Sequence, residues 1–249
     1  MRTLVASLLA CALLGGCVSA KKVERATARR ELGVAYYREG NTESAIATLR
    51  DAIELDPRSW RAWNSLAVAY IAKGQPKLAE KAFRKALRLN PGEGEILVTR
   101  GAFFVRNGRN PEAIADFRTA LRDLDYRNPA AVLSNMSYAL TESGKPAEGV
   151  EVAREAIRRA PQLCEARYHL GWALEHKGDS LGAMEAYKDQ VTRCPSESLG
   201  SRLRLGCLQV QVGMFDEGQE FLRMVTTEAP ATRFADEARA CVAVAGARK

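Results

Sequence analysis

The feature that most constrains the fold is a sequence unit that runs from Trp60 to Glu93. Large and small apolar residues occur at helical spacing within it, and a proline lies near its end. These positions are Trp63, Leu66, Ala67, Tyr70, Ala79, Phe83, Ala86 and Pro91. Small residues at fixed offsets allow two helices to pack closely, but one helix pair cannot bury its own apolar face. The unit therefore predicts similar units on both sides.

Prolines show that the unit recurs along the chain. Pro57 and Pro91 are one unit length apart, and so are Pro161 and Pro195. The separation of Pro91 from Pro161 is two unit lengths and two extra residues. We expect a longer loop where these two fall, near Asp125. The predicted repeats cover residues 26–59, 60–93, 94–127, 130–163, 164–197 and 199–232, and residues 233–249 form a helix that caps the last repeat.

The unit resembles the tetratricopeptide repeat (TPR), with its pattern W-x2-L-(G/A)-x2-Y…A-x3-F…P. The resemblance implies an all-α fold, a right-handed α-solenoid of about six TPR helix pairs with a C-terminal capping helix. Each first helix ends near a glycine, which suits a left-handed cap. These glycines are Gly40, Gly74, Gly108, Gly144, Gly178 and Gly213. The fourth repeat departs from the pattern, because it has Ser137, Gly149 and Ala153 at usual TPR positions.

Composition supports a globular protein and gives no sign of a nucleic-acid partner. The chain has 249 residues, of which 47% are hydrophobic and 27% charged, and its formal net charge is +7. That surplus is modest, and Asp and Glu are mixed through every repeat, so a solvated surface with a basic bias explains it.

The N-terminus has the form of an export signal. Residues 1–16 combine a short positive start with an apolar run, LVASLLACALLGG, that is too short to span a bilayer. Leu14-Gly15-Gly16-Cys17 resembles the bacterial lipobox, which implies that Cys17 is acylated and anchors the protein to a membrane, with residues 17–25 as a short tether. No Asp follows Cys17. By analogy with lipoprotein sorting, this favours the outer membrane of a Gram-negative bacterium, facing the periplasm. The alternative is an ordinary signal peptide with Cys17 incidental.

The TPR resemblance also predicts a groove, because fixed positions of each first helix line the concave surface in that family. Transferring these positions gives a largely apolar row: Val34, Tyr37, Val68, Ile71, Val98, Ala102, Val105, Tyr138, Tyr168 and Trp172, completed by Leu203 and Val210. The charges on the same surface are Arg30, Arg38, Arg61, Arg106, Glu142, Glu165 and Glu175. Contiguous exposed apolar surface usually marks a partner site, here for an apolar segment of another protein. Alternatively, some of these side chains are core between neighbouring helices.

Four cysteines remain once Cys11 has left with the signal peptide and Cys17 is lipidated. An even number in an exported chain predicts disulfides. Cys164 and Cys194 lie at the two adjacent ends of the helical hairpin of repeat five, so a bridge joins them readily. Cys207 and Cys241 are one repeat length apart, in equivalent positions of the sixth repeat and the capping helix. Neighbouring first helices pack about 8–10 Å apart, so we expect a second bridge there only if these two helices converge.

The sequence predicts no catalysis, no cofactor and no small-molecule substrate. None of the fingerprints of hydrolases, zinc proteases, phosphate-binding loops or dinucleotide-binding folds occurs in it. A zinc site that uses His169 and the cysteines is the alternative to disulfides, but no C-x2-C or paired-histidine spacing supports it.

A lipobox followed directly by six TPRs resembles the type IV pilus secretin pilotins, the PilF/PilW/Tgl type. The resemblance is most specific over residues 95–140, which match the family's junction of the third and fourth repeats. The matching motifs are Gly101-x2-Phe104, Ala113-x3-Phe117, the stretch Asp123–Pro129 and Leu133-x-Asn135. The cysteine-rich C-terminal end and the fourth repeat depart from the pattern.

This resemblance implies a lipid-anchored protein whose groove binds secretin subunits and promotes their outer-membrane localisation and multimerisation. The alternative among binding proteins is a TPR adaptor lipoprotein for β-barrel assembly or peptidoglycan synthesis. An alternative of another class is a periplasmic thiol-redox or metal enzyme that uses the four C-terminal cysteines.

Overall fold

Antiparallel helix pairs make up the computed structural model, which describes residues 20–123 and 126–246. The helices are α1 (Ala20–Arg38), α2 (Thr42–Leu55), α3 (Trp60–Ala72), α4 (Pro76–Leu89), α5 (Gly94–Arg106), α6 (Asn110–Ala120), α7 (Pro129–Glu142), α8 (Pro146–Arg159), α9 (Cys164–Lys177), α10 (Ser180–Arg193), α11 (Leu199–Gln211), α12 (Phe215–Glu228) and α13 (Arg233–Gly246). A short 3-10 turn, Pro195–Glu197, precedes α11. No strand occurs in the described ranges. This architecture confirms the predicted fold class, an α-solenoid of helix pairs.

The turns within the pairs follow the local chemistry of the sequence. Pro76, Pro111 and Pro146 lie in the first turns of their helices, where a missing amide N–H leaves no hydrogen bond unmade. The six predicted cap glycines all have φ between 69° and 88°. At Gly178, with φ 87°, the backbone N–H bonds to the carbonyl of Glu175 and ends α9. A residue with a Cβ is strained in that conformation, so glycine ends each first helix at little cost.

The described residues form two units, one up to Thr99 and one from Arg100 onward. In the first unit, α2 packs against both α1 and α3, and α3 against α4. The second unit contains the pairs from α7 to α12, and α13 packs on both α11 and α12. Ala235 and Ala238 are fully buried there. Residues 233–246 thus cover the last pair, in the manner predicted for a capping helix.

Within most pairs, a glycine of the first helix faces a large side chain of the second. A Cβ at Gly101 would lie 2.5 Å from the ring of Phe117, and one at Gly171 would lie 2.5 Å from the ring of Tyr187. Such contacts are too short for any side chain, so the helices approach closely only because these residues have none. The partner side chains, Phe117 and Tyr187, are both fully buried.

In the fourth pair, the glycine lies on the second helix and the larger side chain on the first. A Cβ at Gly149, on the second helix, would lie 2.5 Å from Oγ1 of Thr141 on the first. The hydroxyl of buried Ser137 donates to the carbonyl of Gly149 at 2.8 Å, and Thr141 donates to the carbonyl of Ser137 at 2.9 Å. The departures at Ser137 and Gly149 therefore form a buried polar contact between the two helices.

The sequence predicted a longer joint after the third pair and a short tether before the first helix. As predicted, the joint after the third pair is longer: α6 ends at Ala120 and α7 begins at Pro129, whereas α2 and α3 are separated only by the residues between Leu55 and Trp60. The predicted tether, in contrast, is shorter than residues 17–25. Residues 20–25 belong to α1, because AKKVER has no proline or glycine and most of its residues favour helices.

We predict that Gly101→Ala lowers the free energy of unfolding by about 1–2 kcal/mol, since the strain of overpacking exceeds the gain in helix propensity. In the Phe117→Ala background, the ring that obstructs the new methyl is gone. There the same substitution should leave stability unchanged or raise it by up to about 1 kcal/mol. Urea unfolding of the four proteins of this cycle measures the coupling. An equal loss in both backgrounds would contradict the packing contact.

Candidate functional site: an apolar groove and an acidic pocket

Side chains of the first unit line a groove of about 350 Å³, which we call the N-terminal groove. Its lining residues are Arg30, Val34, Tyr37, Arg38, Leu49, Asn64, Ser65, Val68, Glu95 and Thr99. Three predicted groove residues, Val34, Tyr37 and Val68, are among them. Ile71 and Val98 are half-buried and do not line this groove.

The N-terminal groove combines apolar walls with an unsatisfied hydrogen-bond acceptor. Val34 and Val68 are half-buried, and Leu49 is buried. The amide of Asn64 donates from Nδ2 to Glu95 at 3.3 Å, while its buried Oδ1 has no partner among the described residues. An unsatisfied buried acceptor costs about 1–3 kcal/mol. The half-buried valines of the groove suit the apolar side chains of a bound peptide.

In the second unit, three of the predicted groove residues form a continuous aromatic row. The ring of Trp172 stacks with Tyr138 and with Tyr168, each at a centroid distance of 6.3 Å. Trp172 Nε1 donates to Glu142 at 2.8 Å, which holds the indole in place. Burial raises the pKa of both tyrosines, so their hydroxyls remain protonated. Two further predicted residues of this unit, Ala102 and Val105, are half-buried on α5.

The predicted row does not extend to the sixth pair. Leu203 and Val210 are 1% and 3% exposed and pack with Leu222 and Val225, so their assignment to the groove was wrong. The physical reason is that α13 covers the face of α11 that an open end would expose. Glu175 is also unavailable as a groove charge, because Arg204 pairs with its carboxylate and Tyr187 donates to it.

A larger concavity of the second unit, about 640 Å³ in volume, contains two predicted groove residues, Glu165 and Tyr168, but was not predicted as a separate site. We call it the C-terminal pocket. Its lining residues are Gln162, Leu163, Cys164, Glu165, Tyr168, His169, Gln190, Glu197, Gly200 and Phe234. The repeat spacing does place three of these residues at equivalent positions. Glu165, Gly200 and Phe234 each occupy the second position of successive first helices, counting α13 as one.

The chemistry of the pocket is acidic and partly aromatic. Glu165 and Glu197 are exposed, and neither carboxylate has an ion-pair partner within the described ranges. Desolvation and the nearby Glu197 carboxylate raise the pKa of Glu165. Phe234 is 41% exposed, which is unusual for so large an apolar side chain.

His169 borders the same pocket and is 7% exposed. Its Nδ1 lies 2.9 Å from the hydroxyl oxygen of Ser134. Burial lowers the pKa of His169 to about 4, so the ring is neutral at neutral pH.

The structure joins all four C-terminal cysteines in two disulfides. Cys164 bonds to Cys194 with a Cα–Cα distance of 6.0 Å, and Cys207 bonds to Cys241 with a Cα–Cα distance of 5.4 Å. Among the described residues, no group of three or more histidine, cysteine or acidic side chains is arranged to hold a metal ion. The signal peptide and Cys17 lie outside the described residues. No helix of the described part is long and apolar enough to cross a membrane.

The arrangement of helix pairs is similar to that of a known protein family. The tetratricopeptide repeat profile matches residues 20–57, 30–94, 104–162 and 134–198, which together cover more than half of the chain. The chain belongs to the tetratricopeptide repeat family. TPR proteins are generally interaction scaffolds without catalytic activity.

Solved structures share this TPR fold. PilW, described as a "widely conserved type IV pilus biogenesis factor", superposes with a TM-score of 0.78 at 22% identity, covering 84% of this chain and 96% of PilW. PilF of Pseudomonas aeruginosa superposes with a TM-score of 0.76 at 25% identity, covering 88% of this chain and 99% of PilF. YrrB, "a TPR protein with an unusual peptide-binding site", has a TM-score of 0.56 at 20% identity, covering 73% and 95% of the two chains. A comparison of the chain with functionally characterised proteins found no similar sequence.

The buried imidazole makes stability pH-dependent in a defined direction. The pKa of His169 is 6.5 for a free ring and about 4 in the folded protein, so the unfolded chain binds more protons between these values. Stability is therefore lost as the pH falls through this range. Between pH 7 and pH 5, we expect the free energy of unfolding to fall by about 2 kcal/mol more in the wild type than in His169→Gln.

Urea unfolding at the two pH values checks this expectation. Ser134→Ala is the matched control, because it removes the hydrogen bond and leaves the buried ring, so it should retain the pH dependence. If the wild type and His169→Gln lost equal stability, the buried neutral state of the ring would be excluded.

Proposed function

We propose that this TPR protein is a pilotin of the type IV pilus machine, which binds secretin subunits and promotes their outer-membrane localisation and multimerisation. The observation that carries the proposal is the similarity to PilW and PilF, two pilus-related TPR structures, over 84% and 88% of the chain. The pilotin-type motifs around the third and fourth repeats support it independently.

The N-terminal groove is the proposed contact for the secretin subunit. It supplies half-buried valines and exposed Tyr37 as an apolar surface. Arg38 adds positive charge beside this surface, and Arg30 pairs with Glu31. An apolar segment with an acidic flank is the partner chemistry that such a groove fits.

The proposed location follows from the N-terminal sequence. Acylation of Cys17 would confine the protein to the outer membrane, on its periplasmic side, and would raise the effective concentration of a captured subunit there. The exposed residues Lys21, Lys22 and Arg25, at the start of α1, suit a position next to anionic lipid headgroups.

We predict that Val68→Asp reduces the amount of heat-resistant secretin multimer about tenfold, because a carboxylate buried against an apolar segment is desolvated without a partner. The measurement is immunoblotting of unboiled and boiled membranes for the secretin. Ala72→Asp is the matched control, since it adds the same charge to an exposed position of the same helix outside the groove.

Normal multimer levels in Val68→Asp would refute the proposed contact. Affinity purification of the lipidated protein from solubilised membranes distinguishes the alternative adaptors. Recovery of β-barrel assembly factors or peptidoglycan synthases in place of a secretin would refute the pilotin function.

We predict that Cys17→Ala abolishes labelling with radioactive palmitate and releases the protein from the outer-membrane fraction, because the acyl chains supply the anchor. Cys11→Ala is the matched control. It removes a cysteine from the proposed signal peptide and should leave labelling and fractionation unchanged. Labelled, membrane-bound Cys17→Ala protein would show that the anchor lies elsewhere.

A further inference from the structure

The C-terminal pocket carries a charge opposite to that of the chain as a whole. The full sequence has a formal net charge of +7, yet the residues that line the pocket include two carboxylates and neither Lys nor Arg. Basic side chains close to it are engaged elsewhere: Arg167 pairs with Asp189, and Arg202 pairs with Glu228. The acidic character of the pocket is therefore not neutralised from within the unit.

The pocket also contains a polar atom that lacks a partner. His169 is more than nine-tenths buried, and its Nε2 makes no hydrogen bond within the described residues. Nδ1 of His169 lies 2.9 Å from the hydroxyl oxygen of Ser134, which is fully buried. The ring therefore directs Nδ1 toward Ser134 and leaves Nε2 at the edge of the pocket for a hydrogen bond with a ligand.

Two aromatic rings and a glycine form another part of the pocket wall. Tyr168 and exposed Phe234 both line the pocket, and a Cβ at Gly200 would lie 3.1 Å from the ring of Tyr168. Glycine at this position leaves space next to the tyrosine ring. Flat apolar surfaces beside carboxylates suit a side chain that has an alkyl stem and a cationic end.

The geometry points to a second recognition site: the C-terminal pocket binds an extended segment of a partner protein through one arginine or lysine side chain. The cation lies between Glu165 and Glu197, and its alkyl stem contacts Tyr168 and Phe234. Nε2 of His169 forms a hydrogen bond with a main-chain group of the same segment. This site has a ligand chemistry opposite to that of the N-terminal groove and does not depend on which partner the groove takes.

Both disulfides tie together elements that line this pocket. Cys164, next to Glu165, is bonded to Cys194, which directly precedes the turn that carries Glu197. The bridge from Cys207 to Cys241 fixes α13, which carries Phe234, to α11, which carries Gly200. Covalent links between the walls reduce the entropy that is lost when a segment binds.

The test measures binding of a short, end-blocked peptide that has one arginine between two leucines, by fluorescence anisotropy with the full-length mature protein. We expect Glu165→Gln combined with Glu197→Gln to weaken binding about tenfold or more, as the loss of charge-assisted hydrogen bonds predicts. Glu185→Gln with Glu217→Gln makes the same change of charge at exposed sites outside the pocket and should leave affinity unchanged. Thermal unfolding checks that all variants are folded.

Two further ligands make the result decisive. Citrulline has the shape of arginine without its charge, so the citrulline peptide should bind about tenfold more weakly. Equal affinity for the two peptides, or no saturable binding of the arginine peptide, would overturn the proposal. Competition by free arginine amide at the affinity of the peptide would also overturn it, since the site would then take a small cation. Val68→Asp should bind the peptide normally, so this result is separable from the proposed pilotin function.

Discussion

The close approach of two helices within each pair is the constraint on which the rest of the structure depends. At Gly33, Gly101, Gly171 and Gly206, a Cβ would lie within 2.8 Å of a leucine or aromatic side chain from the partner helix. Only a residue without a side chain permits this distance, and each large side chain is then buried almost completely. The first helix of each pair is thereby held in place, which determines where its other face lies. Positions on that other face form the grooves.

The fourth pair shows that the constraint concerns the summed size of the facing residues and not the identity of either. Its glycine, Gly149, lies on the second helix, and Ser137 and Thr141 lie opposite it. The polar atoms buried by this exchange bond to each other and to the backbone. A repeat that departs from the consensus at these positions is therefore packed as closely as the others. Its first helix, α7, also supplies two groups to the neighbouring surface: Tyr138 stacks on Trp172, and Ser134 bonds to His169.

Spacing in the sequence was sufficient to predict the helices, their turns and the two cysteine pairs, because each depends on local chemistry or on the repeat register. It was not sufficient to predict burial on the concave face. Leu203 and Tyr168 occupy equivalent positions of their repeats, yet Leu203 is buried and Tyr168 is half-exposed. The difference lies in their neighbours: Leu203 packs with Leu222, Val225 and Ala238, whereas Tyr168 lines the C-terminal pocket. The C-terminal pocket was not predicted as a separate site, because the repeat spacing does not show that Phe234 of the capping helix lies next to Glu165 and Tyr168.

One of the two disulfides, Cys207–Cys241, begins in a pair whose helix contact has no aromatic ring. In the last pair, Gly206 faces Leu222, a smaller partner than the ring of Phe117 or Tyr187 in earlier pairs. Closing loops of 30 and 34 residues stabilises the folded state by about 3–4 kcal/mol each in the chain-entropy account. Such bonds persist only in an oxidising compartment. The proposed export is therefore also a condition for the stability of the second unit and of the elements that line its pocket.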